Sequence, residues 1–193
     1  MRIRLGIGLD GVVANFIDGW MMRYNMEYGT SLTEDQVDRW DAAHELTHFQ
    51  DMSDFWQWAG ASGNGPTVFR NLRTYPGALA SLNELAACHD IVILTMKPDW
   101  AGHDTFSWIA DNYLPTREVH LIRDKWNVDC DIYLDDSPYV LSGLVAKRPN
   151  SIVCRFVRSW NEPVPGAIDI HNWDEFLQLV AREKGDRDCG EVQ

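Results

Sequence analysis

Five short apolar runs bounded by turn residues, at 3–9, 90–94, 119–122, 131–134 and 151–156, alternate along this chain with stretches of helical periodicity. Each run has the length of a buried strand and is too short to be a buried helix. Between them, Pro76-Gly77-Ala78-Leu79-Ala80-Ser81-Leu82-Asn83-Glu84-Leu85 carries apolar residues at helical spacing behind a proline, and residues 104–114 and 173–181 read the same way. Strands alternating with helices predict an α/β fold, a mostly parallel sheet in a three-layered arrangement. Residues 17–75 break the rhythm: they are rich in Trp, Met and Tyr, look helical at first, and end in the loop Gly60-Ala61-Ser62-Gly63-Asn64-Gly65-Pro66. They read as a small helical cap inserted after the first strand, which leaves 1–16 and 76–182 as the core. The tail, 183–193, is charged and lacks apolar periodicity, so it is expected to be disordered.

The 193 residues suit one domain with a small insertion, and 45% apolar content is enough for a substantial core. With 17 basic against 29 acidic residues the formal charge is −12, which argues against a protein that coats duplex nucleic acid. A small anionic ligand must therefore sit where positive charge is local. No apolar run approaches the about 18 residues of a membrane span, and the amino-terminal residues do not read as a signal peptide. A cytoplasmic protein without membrane association is expected. Cys88, Cys130, Cys154 and Cys189 are widely spaced with no C-x-x-C pair, so reduced thiols are expected. The oligomeric state is not written in the sequence, and a homodimer stays open.

In an open parallel sheet ligands bind beyond the carboxyl ends of the strands. Four positions there agree: Asp10 after the first strand, Thr95 after Ile91-Val92-Ile93-Leu94, Lys125 in Ile122-Arg123-Asp124-Lys125, and Asp135-Asp136 after Ile132-Tyr133-Leu134. A hydroxyl and a cation suit phosphate oxygens, and carboxylates suit Mg²⁺, which prefers hard oxygen ligands. Adjacent Asp135 and Asp136 repel each other unless a cation or hydrogen bonds compensate, which favours a metal, although one of the two could simply cap the next helix.

In order and spacing these segments resemble the four motifs of the haloacid-dehalogenase-like phosphohydrolases. With Val68-Phe69-Arg70-Asn71-Leu72 leading to Pro76-Gly77-Ala78, and a late His171-Asn172-Trp173, the chain resembles the 5′(3′)-deoxyribonucleotidase family over nearly its whole length. The resemblance implies a Rossmann-like core with a helical cap after the first strand, a Mg²⁺ cofactor, and a nucleotide or other small phosphate ester hydrolysed through an aspartyl-phosphate. It makes Asp10 general acid and base and a backbone ligand to the metal, gives Thr95 and Lys125 the phosphate, gives Asp135 or Asp136 the metal, and places Phe69 and Phe49 near the substrate. The chain departs from the motif at its first residue. The family pattern is Asp-x-Asp-Gly-Val, and here Gly8-Leu9-Asp10-Gly11-Val12 puts glycine where the nucleophilic aspartate stands. Without that carboxylate no covalent phosphoryl intermediate forms by the family route, and turnover is expected to fall on the order of 10⁶-fold. Water positioned by Asp10 would be a weaker route.

Trp20, Trp40, Phe49, Phe55, Trp56, Trp58 and Phe69 crowd the expected cap, where they form either core or a wall for a nucleobase. Two other patterns weigh less. Gly6-Ile7-Gly8-Leu9-Asp10-Gly11 matches the dinucleotide fingerprint formally, but Asp10 would face a pyrophosphate. His44-Glu45-Leu46-Thr47-His48 matches H-E-x-x-H, a zinc protease motif when it lies on a helix, but no third ligand follows at a suitable spacing. The readings carried forward are an impaired nucleotidase, a non-catalytic nucleotide-binding or protein-interaction module on the same scaffold, and, last, the zinc protease.

Overall fold

The structure, a computed structural model, describes residues 2–39, 43–60 and 66–190, the side chains of 184–190 excepted. Trp40, the loop residues 61–65 and the last three residues of the chain lie outside it.

Strand β1 (Arg4–Gly8) leads into a tight turn, then a two-residue strand β2 (Ala14–Asn15) and helix α1 (Phe16–Tyr28). The helix starts where it does because Asn15 Oδ1 accepts from the Asp18 amide at 3.0 Å, satisfying one of the amides that a helix start leaves open. Short 3-10 turns at Glu34–Gln36, Ala43–Leu46 and Val68–Arg70 flank α2 (Met52–Gly60), and β3 (Arg73–Thr74) returns antiparallel to β2. Then come α3 (Ala78–Cys88), β4 (Asp90–Thr95), α4 (Gly102–Asp111), β5 (Glu118–Leu121), β6 (Ile132–Asp135), α5 (Pro138–Lys147), β7 (Ile152–Phe156), β8 (Ile168–Ile170) and α6 (Trp173–Gly190).

All five expected strands are present, joined by β8, and the six form one parallel sheet in the order β5-β4-β1-β6-β7-β8. The α/β reading holds. Central β1 is fully covered: Leu5 and Ile7 are at 0% exposure, and the core continues through Ile93, Ile132, Leu134 and Phe176. The same apolar cluster runs into residues 17–75 through Trp20, Phe55 and Phe69, so that segment packs on the sheet end rather than standing apart. Helix α6 reaches Gly190, well past the periodicity that ends at residue 181.

Candidate functional site

The strand order places β4, β1 and β6 side by side, with Gly8 opposite Leu94 and Ile7 opposite both Ile93 and Leu134. Their carboxyl ends therefore bring Gly8, Thr95 and Asp135 onto one floor. Above it lies a cavity of about 720 Å³, of the size that holds a nucleotide-sized ligand. Asp10, Thr95, Lys125 and Asp136 line it from the sheet, and Phe16, Trp56 and Phe69 line it from the inserted segment.

Gly8 leaves no void. A Cβ built there would stand 2.8 Å from Asp135 Oδ2 and 3.1 Å from Val12 Cγ2, so Asp135 leans over the position that a nucleophile would take. Asp135 Oδ2 in turn accepts from Lys125 Nζ at 2.5 Å, and its Oδ1 accepts from the Ser137 amide at 3.0 Å. Beyond β1 the chain turns sharply, with the Val13 and Ala14 amides both donating to Leu9 carbonyl at 2.8 Å. Gly11 makes this turn at φ +73°, and any Cβ there would fall 2.0 Å from Asp136 Oδ2. Only glycine lets the turn and the carboxylate come so close.

Asp136 is 2% exposed and its Oδ2 accepts from Trp160 Nε1 at 2.9 Å. Burial first, then the neighbouring Asp135 charge, pushes its carboxyl up to about 7. Thr95 is 1% exposed at the end of β4. Phe69 lies in a set of near-parallel rings, 5.1 Å from Phe16 and 6.3 Å from Trp56 between centroids. Phe49 is elsewhere: it packs against Tyr24, His48 and Trp58 and is not among the residues that line the cavity.

The most consequential residue was not singled out in the sequence. Lys97, two residues past Thr95, buries its side chain to 1% exposure and donates to Asp10 Oδ1 and Oδ2 at 2.7 and 2.5 Å. Its Nζ also lies 3.8 Å above the centre of the Phe69 ring, a cation–π contact. Burial lowers the lysine's pKa; Asp10 opposes that, and Lys125 adds to it by repulsion. Its place beyond a strand end was the available signal. Trp160 and Arg158, on the connection after β7, were missed as well; Arg158 Nε donates to Gly11 carbonyl at 2.7 Å and its guanidinium stacks on Tyr75.

The expected metal ligands do not fit Mg²⁺ as they are folded. Asp135 is divided between an ammonium and an amide, Asp136 Oδ2 meets an indole N–H, and Asp10, expected to offer its backbone carbonyl, has both side-chain oxygens on an ammonium. Gly8 adds no side-chain oxygen, and no group of three His, Cys, Asp or Glu that could hold a metal exists among the described residues. The H-E-x-x-H segment fares no better. His44 and Glu45 fall in a 3-10 turn, Glu45 pairs with Arg39, and His48 Nδ1 lies 2.9 Å from the Tyr24 hydroxyl.

Comparison with known proteins bears on the family and the fold. A family model described as 5′ nucleotidase, deoxy (pyrimidine), cytosolic type C protein matches residues 2–185. A 5′(3′)-deoxyribonucleotidase of Clostridium acetobutylicum is 26% identical over 170 residues, 82% of this chain and 91% of that protein. A protein of Oceanobacillus iheyensis named for nucleotidase activity is 29% identical over 120 residues, 57% of this chain, and the match spans only 63% of that relative's length. Among solved structures, a haloacid-dehalogenase-like hydrolase of Streptococcus pneumoniae superposes with a TM-score of 0.64 at 12% identity, covering 93% of this chain and 98% of its own. A Bacillus subtilis hydrolase of that type, bound to magnesium, gives 0.62 at 14%, covering 93% and 99%. At such identities these two show the fold. The family match spans nearly all of the chain, and the protein belongs to the deoxy-type 5′-nucleotidase family, on a haloacid-dehalogenase-like fold.

Proposed function

We propose that this protein binds nucleoside monophosphates in the family's pocket and has lost the covalent phosphoryl step. The observation that carries the reading is Gly8: the strand position that would present the attacking carboxylate has no side chain, and Asp135, held by Lys125, leans over it. The carboxylate over that position, Asp135, is tied to Lys125, and Asp10 is tied to Lys97.

The rest of the pocket suits such a ligand. The Thr95 hydroxyl and the Lys125 ammonium hold phosphate oxygens, as a hydroxyl and a cation do in phosphoryl sites. Phe16 and Trp56, stacked with Phe69 behind them, offer flat apolar surface to a base at the other end of the cavity. Although the whole chain is strongly acidic, the cavity lining sets Lys97, Lys125, Arg39 and Arg123 against Asp10 and Asp136. Positive charge is thus local, as a small anion requires. Without a nucleophile, hydrolysis falls to water positioned by Asp10, a slow route while that carboxylate is tied to Lys97.

The test is phosphate release from a panel of deoxynucleoside monophosphates with Mg²⁺, comparing the protein with Gly8→Asp. Release by the variant alone supports the reading. Equal release by both places the nucleophile elsewhere, and release by neither, without nucleotide binding, leaves a scaffold that serves another purpose.

A further inference from the structure

The pairing of Gly8 with Lys97 has an electrostatic meaning. Gly8 leaves the end of β1 without a side-chain charge, and Lys97 brings a buried ammonium to the same floor. Lys97 Nζ touches Asp10 at 2.5 Å and lines the same cavity as Thr95 and Lys125. Each ammonium already holds a carboxylate at 2.5 Å, Lys97 that of Asp10 and Lys125 that of Asp135, so those oxygens are engaged before any dication arrives.

We propose that Lys97 stands in for a divalent cation, so that the pocket takes the phosphate of a nucleoside monophosphate through the Lys97 and Lys125 ammonium groups and the Thr95 hydroxyl with no bound metal. This rests on the nucleotide-binding reading above and goes beyond it. It accounts for the three carboxylates each being held by a nitrogen donor of the protein. It also gives the Phe69 ring a second use, since its face holds the Lys97 ammonium in position before any ligand arrives.

The experiment is calorimetric titration of the whole protein with thymidine 5′-monophosphate, and separately with inorganic phosphate, in EDTA and in millimolar MgCl₂. The proposal expects dissociation constants that agree within about twofold between the two buffers. It also expects Lys97→Met, shown to be folded by circular dichroism, to bind both probes at least about tenfold more weakly in EDTA. Binding by the unaltered protein only when Mg²⁺ is present overturns the proposal and leaves nucleotide binding intact. Metal-independent binding that survives Lys97→Met unchanged overturns the role given to Lys97. Absence of binding in both buffers overturns the nucleotide reading itself, and this proposal with it.

Discussion

Lys97 and Asp10 form a closed pair at the carboxyl end of the sheet, with the ammonium 2.7 and 2.5 Å from the two carboxylate oxygens; the lysine side chain is 1% exposed and the aspartate 19%. The two depend on each other unequally. The aspartate retains some water, while the lysine has little besides that carboxylate and the Phe69 ring.

Asp10→Asn therefore leaves a buried ammonium without its counter-charge. A loss of roughly 2–4 kcal/mol in folding stability is expected, at or below the usual range for breaking a buried pair. Phosphate should restore more stability to the variant than to the unaltered protein, because the anion supplies the missing charge. Urea denaturation with and without phosphate checks both parts; an unchanged midpoint would contradict the account.

Asp136 gives a pH dependence with a definite sign. Its carboxyl rises from an ordinary 3.8 to about 7 in the folded protein, so between those values the native state holds a proton that the unfolded chain releases. Its contribution is complete below about pH 4 and is lost as pH rises towards 7. In Asp136→Asn, which keeps an oxygen for Trp160 Nε1, that part of the slope should vanish. Stability measured in urea at intervals from pH 4 to pH 8 for both proteins decides it, and parallel curves would show that Asp136 is ionised throughout.

Gly11→Ala combines a left-handed backbone, φ +73°, with a Cβ 2.0 Å from Asp136 Oδ2. Destabilisation of about 2 kcal/mol or more is expected, with loss of phosphate binding as the turn moves Asp10. Thermal denaturation followed by phosphate titration measures it; a variant as stable as the parent would mean that the turn relaxes freely.

Trp56→Ala separates the two ends of the cavity. Trp56 is half-buried, lines the cavity and lies 6.3 Å from Phe69 between ring centroids. Loss of one stacking face should weaken thymidine 5′-monophosphate about tenfold while leaving inorganic phosphate within about twofold. Equal weakening of both would place the base elsewhere.

Much of this site was legible because chemistry at a parallel sheet collects just past apolar strands. Gly8, Thr95 and Asp135 each end such a run, and the sheet order brings the three runs together. Lys97 was harder to see: a lone lysine in a loop ordinarily belongs to solvent, and only the fold shows that Phe69 and Asp10 bury it. Strand β8 escaped because Ile168-Asp169-Ile170 is too short to show a pattern, and its Asp169 pairs with buried Arg155 on β7. The ribbon of β2 and β3 has only two residues on each side. Phe49 shows the limit of aromatic composition as a guide: tertiary packing alone separated it from the rings that reach the cavity.

The most direct test of the central claim is to mix the protein in molar excess with radiolabelled thymidine 5′-monophosphate and follow bound nucleotide and released phosphate in the same samples. The account predicts saturable binding with release at or below roughly 10⁻⁵ per second, an ordinary turnover of about 10 per second reduced about 10⁶-fold by a lost nucleophile. Release near about 1 per second or faster would contradict it, and would mean that this pocket attacks phosphorus without a carboxylate at position 8.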